Sequence, residues 1–243
     1  MADADARYDA VADFYVEHFD DALADPATVA VLDLLGSVRG HSILDIACGH
    51  GRLTRELARR GAVAVGADIS WGLLEQACAR EEDEVLGIAY RQVDASAVNA
   101  FAGETFDHVT CNWGLSDIDD LDGVAETISR VLSTRGTFVF SILHPCFSGA
   151  PQVAASWPPD GGYFREGLWL ADAASSGLRR QVGANHRMLS TYLNAFANSG
   201  LVVDAVREPA PVVHEPDDDL VPTFFVARCR HLHGALADDP ITP

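Results

Sequence analysis

The chain contains no lysine: all seventeen basic residues in its 243 are arginine. That absence excludes Schiff-base chemistry on a lysine amine and a phosphate-binding loop closing on G-K-[ST]. Positive charge of any kind is scarce, with 36 acidic residues and a net charge of −19. With no basic patch, a nucleic-acid partner is not expected, nor is an anionic membrane surface; the acidity reads as a device for solubility. Cysteines are few and odd in number: Cys48, Cys78, Cys111, Cys146 and Cys229. They form no C-x-x-C pair, so neither a zinc site nor a disulfide framework is indicated and no metal is expected. The opening "MADADARYDA" has acids and no apolar run, so no secretory signal is expected. No hydrophobic run reaches membrane-spanning length. A cytoplasmic protein, monomer or homodimer, is the expectation.

What is present is an ordinary globular composition, 48% hydrophobic and 22% charged, long enough for one embellished domain. From residue 42 to 143, short β-type runs alternate with amphipathic helical runs. "SILDIA", "VAVGADIS", "GIAYRQVDAS", "FDHVTCNWGL" and "GTFVFSIL" read as strands. "GRLTRELARRGA", with Leu53, Leu57 and Ala58 on one face and arginines opposite, reads as a helix ended by Gly61, and "WGLLEQACAREE" and "LDGVAETISRVLS" follow suit. This rhythm implies right-handed crossovers and a parallel sheet covered on both faces.

The rhythm breaks after Leu143. The stretch to His186 is rich in proline, glycine and aromatics, as lids and binding elements are. Regularity returns with the helix "RMLSTYLNAFANSG" and two strands, "LVVDAVREP" and "TFFVARCRH". Near the N-terminus, "RYDAVADFYVEHFDDAL" places Tyr8, Val11, Ala12, Tyr15 and Phe19 on one helical stripe.

In "SILDIACGHGRL", Gly49 and Gly51 follow the first strand and open a helix, where bare backbone can approach a ligand. A plain strand-to-helix turn would need the same glycines. A dinucleotide turn wants G-x-G-x-x-G, but the third position here is Thr54. Asp45, inside the strand end, would repel a pyrophosphate and attract an ammonium group. Asp68, 17 residues after Gly51, can accept from both ribose hydroxyls, and Asp94 from an adenine amino group. Acids at three successive strand ends, with no phosphate-binding feature, describe a nucleoside without phosphates that carries positive charge. S-adenosylmethionine has that chemistry.

"ILDIACGHGRLTRELARRGA" closely resembles the first motif of class I S-adenosylmethionine-dependent methyltransferases, "VGADIS" their second and "VDAS" their third. "FDHVTCNWGLSDIDD" and "GTFVFSILHPCF" are similar to their fourth and fifth strands. The likeness spans roughly residues 40 to 147. Ala47 stands where the family often has glycine. The resemblance implies an α/β, Rossmann-like fold: a seven-stranded, mostly parallel sheet whose last strand is antiparallel and inserted beside the fifth. Helices would cover both faces. Residues 1–40 would be a helical lid, 41–146 the cofactor-binding core, 147–187 a substrate-binding insertion and 188–243 the rest of the core. By the same resemblance, Asp45, Ala47, Gly49 and Gly51 contact the methionine part, Asp68 and Ile69 the ribose side, and Asp94 with Ala95 the adenine. Asn112 and Trp113 lie beside the sulfonium and ring, and Tyr8 closes over the cofactor.

Methyl transfer from sulfonium is an in-line displacement, so positioning dominates; a base is needed only if the acceptor must lose a proton. His144, at the end of the fifth strand, is the leading candidate base, or else a turn histidine capping a loop. His186, opening the late helix, could face the same cleft or merely serve the helix start. Tyr15 could act on the acceptor or simply pack. Trp157, Tyr163, Phe164 and Trp169 read as walls of an apolar acceptor pocket, or as anchors of the insertion. His214 and Glu215 lie at the same rim, where a solvated loop is the simpler reading. The expected activity moves a methyl group from S-adenosyl-L-methionine, leaving S-adenosyl-L-homocysteine, to O, N or C of a small molecule in natural-product or quinone biosynthesis. An NAD(P)-dependent oxidoreductase and a non-catalytic S-adenosylmethionine-binding module remain as rivals.

Overall fold

The computed structural model describes residues 6–19, 23–147, 162–170, 177–209 and 221–232. After a 3-10 turn at Asp9–Val11, the elements run α1 (Ala12–His18), α2 (Pro26–Leu35), β1 (Ser42–Ile46), α3 (Arg52–Arg59), β2 (Val63–Asp68), α4 (Trp71–Asp83) and β3 (Ala89–Gln92). They continue as β4 (Phe106–Asn112), α5 (Leu121–Val131), β5 (Leu132–Leu143), β6 (Gly167–Trp169), α6 (Gly177–Val182) and β7 (Ala184–His186). α7 (Leu189–Asn198), β8 (Leu201–Arg207) and β9 (Phe224–His231) close the chain.

Seven strands form one sheet in the order β3-β2-β1-β4-β5-β9-β8. β1 to β5 pair in parallel, and β9 enters antiparallel between β5 and β8. The reversal of strand order lies between β1 and β4, the kind of switch point at which open α/β sheets hold ligands beyond the carboxyl ends of their strands.

The strands read as apolar runs because both faces are covered. On one face, Leu44, Val109, Phe138, Phe140 and Ala227 pack with Val124 and Ile128 of α5 and Phe196 of α7. On the other, Ile43, Val139 and Val226 pack with Val31 and Leu34 of α2 and Leu53 and Leu57 of α3. Neighbours such as Ile43 and Leu44, or Val139 and Phe140, serve opposite faces, as the strand period of two requires.

The N-terminal 40 residues, expected as one helical lid, pack in two places. α2 is a sheet-covering helix: Asp25 caps it by accepting from the Thr28 N–H at 2.9 Å, Pro26 starts it and Gly36 ends it. The segment before it, with Tyr8 and Tyr15, packs through Val11 against Leu178 and Val182 of α6. Phe19, expected on that buried stripe, is largely exposed and stacks on Tyr15. The insertion, read as irregular, contains an antiparallel ribbon of β6 and β7. Among the described residues, no helix is long and apolar enough to cross a membrane.

Candidate active site

β1 ends at Ile46 and α3 begins at Arg52, leaving five residues to reverse the chain. Ala47, Gly49 and Gly51 all take positive φ, 52°, 57° and 79°. At Gly51, an added Cβ would run into the Tyr90 hydroxyl, so this glycine is required by space as well as by conformation. Ala47 bears left-handed strain that glycine would avoid. Its methyl fits only because position 114 is glycine: a Cβ on Gly114 would collide with the Ala47 Cβ.

Beneath the turn, Asp45 is 2% exposed. Its carboxylate accepts from Thr54 Oγ1 at 2.6 Å and Thr110 Oγ1 at 2.7 Å. Burial pushes its pKa up to about 6, against the opposing pull of the two hydroxyls. Asp45 thus sits under the turn, expected to be its direct ligand contact, and is engaged there by threonines. Asp68, at the end of β2, accepts from the Gly49 N–H at 2.8 Å and the Ser70 N–H at 2.9 Å. Burial also raises it to about 6, opposed by those two backbone donors. Each carboxylate oxygen accepts more than one bond, so Asp68 can hold the turn and meet a diol as well. Ile69, half-buried beside it, accepts through its carbonyl from Gln92 Nε2 at 3.1 Å. Asp94 lies two residues past the end of β3 and turns the chain by accepting from the Ser96 N–H and hydroxyl; Ala95 beside it is buried.

At the end of β4, Asn112 accepts from Ser141 Oγ at 2.6 Å and donates to Thr28 Oγ1 at 2.9 Å. The Trp113 N–H donates to Ser141 Oγ at 3.0 Å, its φ is 69°, and its ring lies 4.7 Å from that of Phe224. Its indole N–H is a buried donor with no partner among the described residues.

The N-terminal segment closes over these elements. The Tyr15 ring approaches to 3.8 Å the point where a Cβ on Gly49 would stand and meets His50 edge-on. Burial raises its phenol to about 12, so it stays protonated at neutral pH. Tyr8 packs edge-on against Tyr15 and donates to Asp117 Oδ2 at 3.0 Å. Asp117 also pairs with Arg179 of α6, and Arg7 reaches Asp119 at 3.1 Å. Burial, then the Asp117 charge, hold the Tyr8 phenol well above its ordinary range.

His144 follows β5 as expected, yet it is 3% exposed with both ring nitrogens engaged. Nδ1 accepts from the Cys146 N–H at 3.2 Å, which puts the neutral ring's proton on Nε2, 2.8 Å from Glu208 Oε1. The geometry fastens β5 to the residue just beyond β8, so His144 at the end of β5 is held by Glu208 and the Cys146 N–H. His186 does not open the late helix. It lies on β7, buried, 2.9 Å from the Tyr163 carbonyl, with Arg187 and Met188 still to come before Leu189 starts α7. Tyr163 accepts from the Leu189 N–H at 3.0 Å and so anchors the insertion to α7. Phe164 is 84% exposed and forms no pocket wall among the described residues; Trp169 is half-buried. Trp157, His214 and Glu215 lie outside the described residues.

Residues 44–140 match a protein family described as a methyltransferase domain. A crystal structure of an S-adenosylmethionine-dependent methyltransferase from Mesorhizobium loti is 27% identical, with a TM-score of 0.68, covering 85% of this chain and 98% of that one. Residues 44–140 thus carry a methyltransferase domain, in a fold shared with an S-adenosylmethionine-dependent methyltransferase. A ubiquinone biosynthesis O-methyltransferase of Pseudomonas putida (strain GB-1) is 26% identical over 199 residues, 75% of this chain and 85% of its own length. One from Methylococcus capsulatus is 37% identical over 108 residues, 44% of this chain; that match spans just under half, 46%, of the relative.

The donor set of this methyltransferase fits its cofactor. Carboxylates at Asp68 and Asp94 could accept from a diol and an amino group, and the buried indole N–H at Trp113 has no partner among the described residues. Acids under and beside the turn would repel a pyrophosphate. Among the described residues, no group of three or more His, Cys, Asp and Glu could hold a metal ion.

Several parts of the site escape a reading of the sequence. Arg187, on the residue after β7, donates to the carbonyls of Leu115, Ile118 and Asp119. Asn185 of β7 donates to the Ser116 carbonyl and to Asp119. Together they clamp the insertion to the loop after β4. The available signal was the acid-rich "SDIDD" facing the "LRR" of the insertion, opposite charges 62 residues apart at Asp117 and Arg179.

Proposed function

We propose that this methyltransferase methylates an oxygen or nitrogen, or a carbon, of a small molecule in quinone or natural-product biosynthesis. An oxygen acceptor is favoured by the activity named for its Methylococcus and Pseudomonas relatives. When bound, S-adenosylmethionine supplies a methyl group on a cationic sulfur that is already a good leaving group. The protein's share is then placement, which can lower the barrier by roughly 7–11 kcal/mol in favourable cases.

The observation that carries the reading is the clasp of Tyr8, Asp9 and Tyr15 over the Gly49 turn and Asp68. It covers the glycine turn from the side of the N-terminal segment. Asp68 binds and orients, Tyr15 excludes water above the turn, and Asn112 with Ser141 fixes the end of β4. Neither His144 nor His186 is assigned a proton transfer, so the proton that a hydroxyl acceptor loses on methylation goes to another group or to solvent.

The test combines calorimetry with S-adenosylhomocysteine and a methyl-transfer screen over phenols, amines and carbon acids. Binding with turnover on one acceptor class is expected. Binding without any turnover would leave a non-catalytic cofactor module. Binding of NAD(P) and not S-adenosylhomocysteine would return the oxidoreductase reading.

A further inference from the structure

Asp9 belongs to the N-terminal segment, 61 residues from Ser70, yet it is bonded into the start of the helix that follows the ribose-side acid. Its Oδ1 accepts from Ser70 Oγ at 2.6 Å and from the Gly72 N–H at 3.0 Å. Ser70 is the N-cap of α4, with its own Oγ accepting from the Leu73 N–H at 3.3 Å. The Ser70 N–H in turn donates to Asp68 Oδ1, and Asp68 Oδ2 accepts from the Gly49 N–H. An unbroken chain of hydrogen bonds therefore runs from Asp9 through Ser70 and Asp68 to the glycine turn.

The approach is close on both sides. A Cβ on Gly72 would stand 3.0 Å from the Ala12 Cβ and 3.4 Å from the Asp9 carbonyl, so a side chain at residue 72 would press on the seated segment. The first turn of α4 is capped partly by its own serine and partly by a carboxylate supplied from the N-terminal segment, where a negative charge also meets the positive end of the helix dipole.

We propose that Asp9 is a positioning residue that couples closure of the N-terminal segment to cofactor binding by fixing Ser70 and, through it, the Asp68 carboxylate. With the segment seated, Ser70 is held from both sides and Asp68 has one orientation. With the segment open, α4 loses a cap and Asp68 a fixed neighbour. Because such coupling is reciprocal, a ligand resting on Asp68 draws the segment shut over Gly49, carrying Tyr15 into place. The inference rests on the proposal that this site binds S-adenosylmethionine.

The test uses the full chain, S-adenosylhomocysteine as probe, and Asp9→Ala and Asp9→Asn variants. Calorimetry gives affinity, and hydrogen exchange reports the amides of residues 6–19 with and without the probe. Wild-type protein should bind and gain protection over 6–19. Asp9→Ala should bind about tenfold more weakly, the loss of roughly one charge-assisted hydrogen bond, and should show no probe-induced protection of that segment. Asp9→Asn keeps an acceptor oxygen and should recover most of both. Asp9→Ala binding within about twofold of wild type and gaining the same protection would overturn the proposal. So would an Asp9→Asn variant as defective as Asp9→Ala, since a merely structural loss would not follow the acceptor oxygen. Failure of the wild-type protein to bind the probe would instead remove the cofactor assignment itself.

Discussion

Thr54 Oγ1 donates to Asp45 at 2.6 Å, at the position where a dinucleotide-binding turn carries its third glycine. The hydroxyl that departs from that motif is the one that satisfies the acid buried beneath the turn. Thr54→Val keeps the volume and removes the donor. It should destabilise the fold by about 1–3 kcal/mol near neutral pH, the usual cost of leaving a buried polar group unpaired. Urea unfolding checks this, and Thr54→Ser should lie close to wild type. Near pH 5 the penalty should shrink, because Asp45 is held up to about 6 and is then mostly protonated.

Asp68 carries the same shift for the same cause, burial raising it to about 6. A carboxyl with a folded pKa above its unfolded one binds protons more tightly in the fold. Its contribution is therefore most favourable at low pH and declines as pH rises from the ordinary carboxylate range to about 6. Asp68→Asn mimics the protonated form at all pH values. Relative to wild type, the variant should gain stability across that window and then run parallel above it. Cofactor affinity should move oppositely in wild type, rising with pH through about 6 as the ionised carboxylate accepts from hydroxyl groups, and staying flat in the variant. Unfolding and calorimetry over this range would decide it; a variant that tracks wild type throughout would remove the shift from Asp68.

Gly114 and Ala47 occupy one volume between them. Gly114→Ala forces its methyl onto the Ala47 Cβ and within 3.0 Å of Cys111 Sγ, and should cost about 1–3 kcal/mol as an overpacked core position. Ala47→Gly relieves the left-handed strain at φ 52° and frees the space. A double-mutant cycle by thermal unfolding should therefore show the pair less damaging than the sum, by about 1 kcal/mol or more. Additive losses would mean that Cys111, and not Ala47, sets the limit.

The order of the core elements was legible because strands buried on both faces write continuous apolar runs, and the intervening helices write a 3.6 period. The three acids and the glycine turn were legible because they lie at or just beyond the carboxyl ends of β1, β2 and β3. Roles within the site were less so. The sequence shows Asp45 near a strand end but not the hydroxyls of Thr54 and Thr110 that hold its carboxylate from 9 and 65 residues away. The helical pattern puts Arg55 on a solvent face with its fellow arginines, yet it is buried and donates to the His50 carbonyl at 2.7 Å. The clasp of Tyr8, Asp117 and Arg179 joins three separate segments, and neither periodicity nor local motif encodes such a pairing. His144 fell at the right edge of the sheet, but its partner Glu208 lies 64 residues away, so nothing local distinguished a base from a fastening.

That last distinction can be measured. His144 Nε2 and Glu208 Oε1 are 2.8 Å apart, with the imidazole buried and the carboxylate half-exposed. If the pair only fastens β5 to the end of β8, His144→Gln and Glu208→Gln should each lower the midpoint of thermal unfolding. Each should leave turnover per folded molecule within about twofold of wild type at neutral pH, since no transition-state contact is lost. The two effects should be less than additive, because either change breaks the same hydrogen bond. A base would behave differently. Its removal cuts turnover by about a hundredfold or more while the affinity for S-adenosylhomocysteine holds. A well-folded His144→Gln protein that binds the cofactor product normally but no longer methylates would return His144 to the chemistry, with Nδ1 exchanging the Cys146 N–H for the acceptor's proton.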